Sequence, residues 1–67
     1  MSYIIVSIQN NLKYYLQNYK GDVRLNGLIE NAERFLNEEV ANEIARTYQH
    51  RLGTDLHIME VLPEVEK

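Results

Sequence analysis

The sequence has no cysteine, and its 67 residues include one proline and three glycines. The lack of cysteine excludes disulfide bonds, which stabilise many domains of this size, and it is typical of proteins in a reducing compartment. No apolar run approaches the ~20 residues that a membrane-spanning helix needs. The first residues show neither a basic segment nor a small-residue cleavage site. We therefore expect a cytoplasmic protein that makes no contact with a membrane.

Signatures of catalysis and of cofactor binding are also missing. The three glycines are isolated, so the chain has no glycine-rich loop for a phosphate group. His50 and His57 do not have the spacing of zinc ligands. The hydroxyl side chains have no partner motif for nucleophilic catalysis, and so short a chain has little room to enclose a pocket. We expect no enzymatic activity, no cofactor and no metal.

Charge is unevenly distributed along the chain, whose net charge is −3. Residues 1–27 carry three basic side chains and one acidic one, whereas residues 28–67 carry four basic and nine acidic ones. This asymmetry predicts two surfaces of opposite sign. It disfavours non-specific nucleic-acid binding, which needs a dense cationic footprint.

The clearest structural signal is a helix over residues 38–52. Asn37 can accept a hydrogen bond from the first turn as the N-cap, the two glutamates that follow suit the positive end of the helix dipole, and Gly53 can end the helix. Leu36 can pack against Ala41 as a hydrophobic staple. One apolar stripe follows the helix: Val40, Ala41, Ile44, Ala45, Tyr48 and Leu52.

Extended segments surround this helix. Residues 3–8 are rich in β-branched side chains and predict a strand. Residues 12–19 alternate in polarity and predict a second strand after an Asn10-Asn11 turn, although an amphipathic helix also fits that segment. The remaining predictions are a short extended piece at 23–26, a helical turn at 28–32, and a last strand at 55–62 that Pro63 ends before a frayed tail.

These elements predict a single α+β domain. One helix packs on a three- or four-stranded antiparallel sheet in ββαβ order, with the last strand beside the first. We expect one face of the sheet to lie under the helix and the other to be exposed to solvent. A domain of this size buries little surface, so we expect self-association as a homodimer to be a source of further stability.

The same pattern resembles a group of small uncharacterised proteins from phages and other mobile elements of Gram-positive bacteria. The likeness lies in the hairpin Tyr3–Val6 and Leu12–Leu16, a spacing Ile29-x-x-Ala32-x-x-Phe35, a helix of the form Glu38-Glu39-x-Ala41-x-x-Ile44-Ala45, and the last strand Ile58–Val61. It spans nearly the whole chain but involves structural positions. The resemblance implies an accessory protein that acts on a host or phage protein, and it assigns no functional residue.

Tyrosine provides the best candidate for a binding surface. Tyr14 and Tyr15 are adjacent, so on a strand they point to opposite faces. If Tyr14 faces the helix, then Tyr15 points outward with basic neighbours, and tyrosine is enriched at protein interfaces. The predicted protein-binding residues are Lys13, Tyr15, Tyr19 and Arg24 on the outer sheet face, with Glu39 and Glu43 on the exposed helix side.

The identity of the protein partner is left open. An alternative function is that of a nucleic-acid-associated regulator, because tyrosine beside lysine and arginine also suits stacking on single-stranded nucleic acid. The low positive charge makes that alternative weaker. A purely structural homodimer is the third possibility.

Overall fold

The computed structural model describes residues 2–19 and 22–61, with the backbone alone at positions 19 and 22. One helix packs on a four-stranded antiparallel sheet of strand order β3-β2-β1-β4, which confirms the predicted α+β class. The elements are β1 (Ser2–Gln9), β2 (Leu12–Tyr19), β3 (Asp22–Asn26), a 3₁₀ turn (Ile29–Asn31), α1 (Glu38–Leu52) and β4 (His57–Val61). The expected frayed tail lies outside the described residues.

The hairpin between β1 and β2 forms because two asparagines can adopt positive φ. Asn10 and Asn11 have φ values of 52° and 66°, as a type I′ turn requires. The turn sets the register, in which Gln9 lies opposite Leu12 and Val6 opposite Tyr15. Residues 12–19 are therefore a strand, and the alternative of a second helix is wrong.

Helix α1 begins and ends as its sequence predicts. The side-chain oxygen of Asn37 accepts hydrogen bonds from the Glu39 and Val40 amides at 2.7 and 3.4 Å. Gly53 has φ of 67°, a left-handed conformation that favours glycine. The predicted hydrophobic staple is wrong, because Leu36 is 87% exposed. Its neighbour Phe35 packs on the core instead, and adjacent residues of an extended segment point to opposite sides.

The main core lies between α1 and the face of the sheet that we call the helix face. Ile5 of β1 and Leu16 of β2 pack there against Ala41 and Ala45 of the helix. The two alanines let the helix backbone approach the sheet closely, and larger side chains fill the margins. These partly buried side chains are Tyr3, Val23, Leu25, Phe35, Ile44, Tyr48, Leu52 and Ile58.

The opposite face, which we call the outer face, is not uniformly exposed. Ile4 and Val6 of β1 point outward and are nevertheless buried, in a second cluster with Ala32. Met59 and Val61 of β4 and Tyr15 of β2 pack against this cluster. The expectation of a fully open second face is therefore wrong along β1.

The connection from β3 to α1 explains this cover, because it passes from the outer face to the helix face between β1 and β2. Ala32 belongs to the outer cluster and Phe35 to the helix-face core. Between them, the Glu33 amide donates to the Leu16 carbonyl at 2.9 Å. Phe35 and Tyr3 exchange two backbone hydrogen bonds of 2.8 Å. The segment thus acts as a short additional strand between the ends of β1 and β2.

The cover on β1 leads to a stability prediction for two isoleucines of the same strand and the same face. Ile4 is fully buried, whereas Ile8 is 56% exposed. Ile4→Val should lower the free energy of unfolding by about 1 kcal/mol, since it removes a buried methyl group, and Ile8→Val should change it by less than ~0.5 kcal/mol. Urea denaturation of both variants tests this, and equal losses would contradict a selective cover over Ile4.

Candidate functional site

An accessible part of the outer face lies on β2 and β3. Lys13, Tyr15 and Gln17 alternate along β2 and share this face. In the neighbouring strand, Asn26 lies opposite Tyr15 and Arg24 opposite Gln17. Lys13 and Arg24 are exposed, and Tyr15 is half-buried. The structure therefore places three of the predicted binding residues on one surface, which we call the β2–β3 face.

Tyr15 forms the border between this surface and the covered part of the sheet. Its pairing partners are Asn26 on one side and Val6 on the other. The ring packs against the outer cluster of Ile4, Val6 and Ala32, so its position is fixed by apolar contacts. A ring held in this way can offer contact area to a partner at little entropic cost.

Sequence reasoning missed several residues that border the β2–β3 face. Ile8 lies opposite Lys13 in the β1–β2 register and is more than half exposed. The chain between β3 and α1 adds two exposed apolar side chains, Leu28 and Ile29. An isolated apolar residue at a strand end predicts neither core nor surface, so only the register could show that Ile8 joins Lys13 and Tyr15.

Glu39 and Glu43, by contrast, lie on the other side of the molecule. Both are exposed on α1, and the helix packs on the face of the sheet opposite to Lys13 and Tyr15. An open groove of about 540 Å³ runs along this side of the helix, lined by Glu39, Val40, Asn42, Glu43, Ile44 and Arg46. The predicted binding residues therefore belong to two separate surfaces. The side chain of Tyr19 lies outside the described part of the structure.

The two surfaces differ in charge. On the outer face, Lys13 and Arg24 are basic. Arg34 reaches the same face, because it donates a hydrogen bond to the hydroxyl of Ser2, whose pairing partner in β4 is Val61. In the helix itself, three glutamates occupy the first two turns, at positions 38, 39 and 43, before the first arginine at position 46. The asymmetry along the sequence thus becomes an asymmetry between opposite sides of the fold.

The buried hydroxyl group of Ser7 has structural partners. Ser7 is fully buried, and its Oγ lies 2.8 Å from Oγ1 of Thr54. The same Oγ accepts a hydrogen bond of 3.0 Å from the side-chain amide of Gln9. This contact joins β1 to the turn after α1. Over residues 2–19 and 22–61, no group of three or more histidine, aspartate or glutamate side chains could hold a metal ion.

Comparison with known proteins adds no relative. No protein-family model, curated protein or solved structure matches the chain. The resemblance to small proteins of mobile elements stays a hypothesis. No helix in the described part of the chain is long and apolar enough to cross a membrane.

The role of Ser7 can be tested against a second serine of the same strand. Ser7→Ala removes a buried hydrogen-bonded hydroxyl and should lower the free energy of unfolding by about 1–2 kcal/mol. Ser2→Ala, at a partly exposed position, should lower it by less than ~0.5 kcal/mol. Thermal or urea unfolding measures both, and a neutral Ser7→Ala would show that the contact with Thr54 does not hold the turn.

Proposed function

We propose that the chain is a small protein-binding module without catalytic activity and that the β2–β3 face is its binding surface. The observation that carries this proposal is a tyrosine that is fixed by packing on the outer cluster and shares its face with two exposed basic side chains. Aromatic residues and arginine are enriched in protein interfaces, and such anchors account for most of the binding energy in many complexes.

Two further features support a protein as the ligand. Ile8 lies beside Lys13 in the register, so the surface combines an apolar contact with charge. The described pockets are open grooves and small crevices along the surface, which suits contact with another macromolecule better than enclosure of a small substrate. An accessory role in a mobile element, directed at a host or phage protein in the cytoplasm, is the biological setting that we propose.

The alternative is a nucleic-acid-associated regulator that uses the same face. Base stacking on tyrosine is worth about 1–3 kcal/mol per base, and Tyr15 lies close to Lys13 and Arg24. The acidic first turns of α1 and the net charge of −3 oppose the approach of a polyanion. We therefore rank protein binding first.

Affinity capture with a matched pair of charge reversals tests the proposal. Lys13→Glu alters the β2–β3 face, while Arg46→Glu makes the same type of change on the helix side. We expect a protein captured by the wild type to be lost with Lys13→Glu and kept with Arg46→Glu. Measured with the purified partner, Lys13→Glu should weaken affinity about tenfold, which corresponds to ~1.4 kcal/mol.

Two results would contradict protein binding at this face. One is a partner, different from this chain, that both variants retain equally, which would place its contact elsewhere on the molecule. The other is tight binding of single-stranded oligonucleotides that weakens steeply with salt and is lost with Lys13→Glu, which would favour the alternative function.

A further inference from the structure

The two surfaces of opposite charge also complement each other in their apolar side chains. On the β2–β3 face, Ile8 is exposed beside Lys13 and Tyr15. At the start of α1, Leu36 is 87% exposed and Val40 is 49% exposed; Val40 directly follows Glu39, and Leu36 precedes it by three residues. Each surface therefore pairs exposed aliphatic groups with charge of one sign, positive on the sheet and negative on the helix.

We propose that the β2–β3 face receives the first turns of α1 from a second copy of the chain. This inference rests on the proposed protein-binding function and names the partner. Leu36 and Val40 of one copy would contact Ile8 and Tyr15 of the next. Glu39 and Glu43 of the first copy would then lie close to Lys13 of the second. The second copy then covers the accessible part of the outer face with a helix, as α1 covers the helix face.

The dimensions of the two surfaces agree. Lys13 and Gln17 are four residues apart on β2, or about 14 Å along the strand, and Gln17 lies opposite Arg24 of β3. Residues 38–43 of α1 extend over about 8 Å, and the two residues before the helix lengthen this surface by up to about 7 Å. The flexible stems of lysine and arginine are long enough to bridge the difference between these lengths.

The contact has a definite symmetry, because the two surfaces lie on opposite sides of one molecule. A head-to-tail contact leaves one free sheet surface and one free helix surface on every pair. Such contacts form rings or open chains instead of closed two-fold dimers. The sheet half of the contact is formed only by β2, β3 and Ile8, so we expect a small interface and weak, reversible association.

Two variants, each with one surface altered, test this geometry. The sheet variant carries Ile8→Glu and Lys13→Glu, and the helix variant carries Leu36→Asp and Val40→Asp, so that the two altered surfaces are both acidic and repel each other. All four positions are exposed, so the folded state should tolerate the changes. As a control, Asp55→Lys reverses an exposed acidic charge beyond the end of α1.

Sedimentation velocity over a range of concentrations is the measurement. The wild type and Asp55→Lys should form species beyond the dimer as concentration rises, and this association should weaken as salt screens the charges. Each surface variant alone should weaken association at least tenfold. An equimolar mixture of the two should form a heterodimer and nothing larger, since each retains the surface that the other lacks.

Formation of the heterodimer would also show that both variants fold, because each must supply an intact surface. A wild type that stays monomeric up to millimolar concentration would overturn the proposal. An oligomeric wild type whose two variants remain monomeric when mixed would overturn it as well, if circular dichroism shows both to be folded. A monomer that still captures another protein through Lys13 leaves the protein-binding function intact.

Discussion

Cover on both faces of β1 is the constraint on which the rest of the structure depends. Ile4, Ile5 and Val6 are consecutive and all buried, yet successive side chains of a strand point to opposite faces. One helix can cover only one of these faces. The chain between β3 and α1 covers the other and then passes between β1 and β2, so that a single connection completes both clusters.

This arrangement decides where a binding surface can exist. The outer face is covered at Ile4 and Val6 of β1, and the accessible part that carries Lys13 and Arg24 lies on β2 and β3, beside Ile8. Tyr15 lies at the limit of the covered part, where it contributes to the second cluster and is only half-buried. The same packing that stabilises the sheet therefore positions the aromatic side chain that we propose as an anchor.

Much of the fold could be predicted because local signals agreed with one another. Asn37 and Gly53 bound the helix, and the asparagine pair bounds the first hairpin. The run of β-branched residues predicts β1 as a strand, and its lack of alternation is typical of strands buried on both faces. The crossing of residues 32–35 could not be predicted, because it depends on backbone hydrogen bonds between segments distant in sequence, for which side-chain periodicity carries no signal.

The candidate site was predictable in part, because alternation along a strand shows which side chains share a face. Alternation along β2 was enough to place Lys13 and Tyr15 on one face away from the helix. Ile8 joins them through the cross-strand register, which follows from the turn. The separation of Glu39 and Glu43 from the sheet residues depends on which face α1 covers, and a helical pattern alone cannot relate its exposed side to a distant strand.

Amide hydrogen exchange measured by NMR tests the central claim most directly. If the chain passes between β1 and β2, the amides of Glu33 and Phe35 should exchange as slowly as those of the sheet, because each donates to a strand carbonyl. The amide of Arg34 lies between them and donates to no backbone carbonyl among residues 2–19 and 22–61. It should therefore exchange much faster. Rapid exchange at all three positions would contradict the crossing and, with it, the cover over β1.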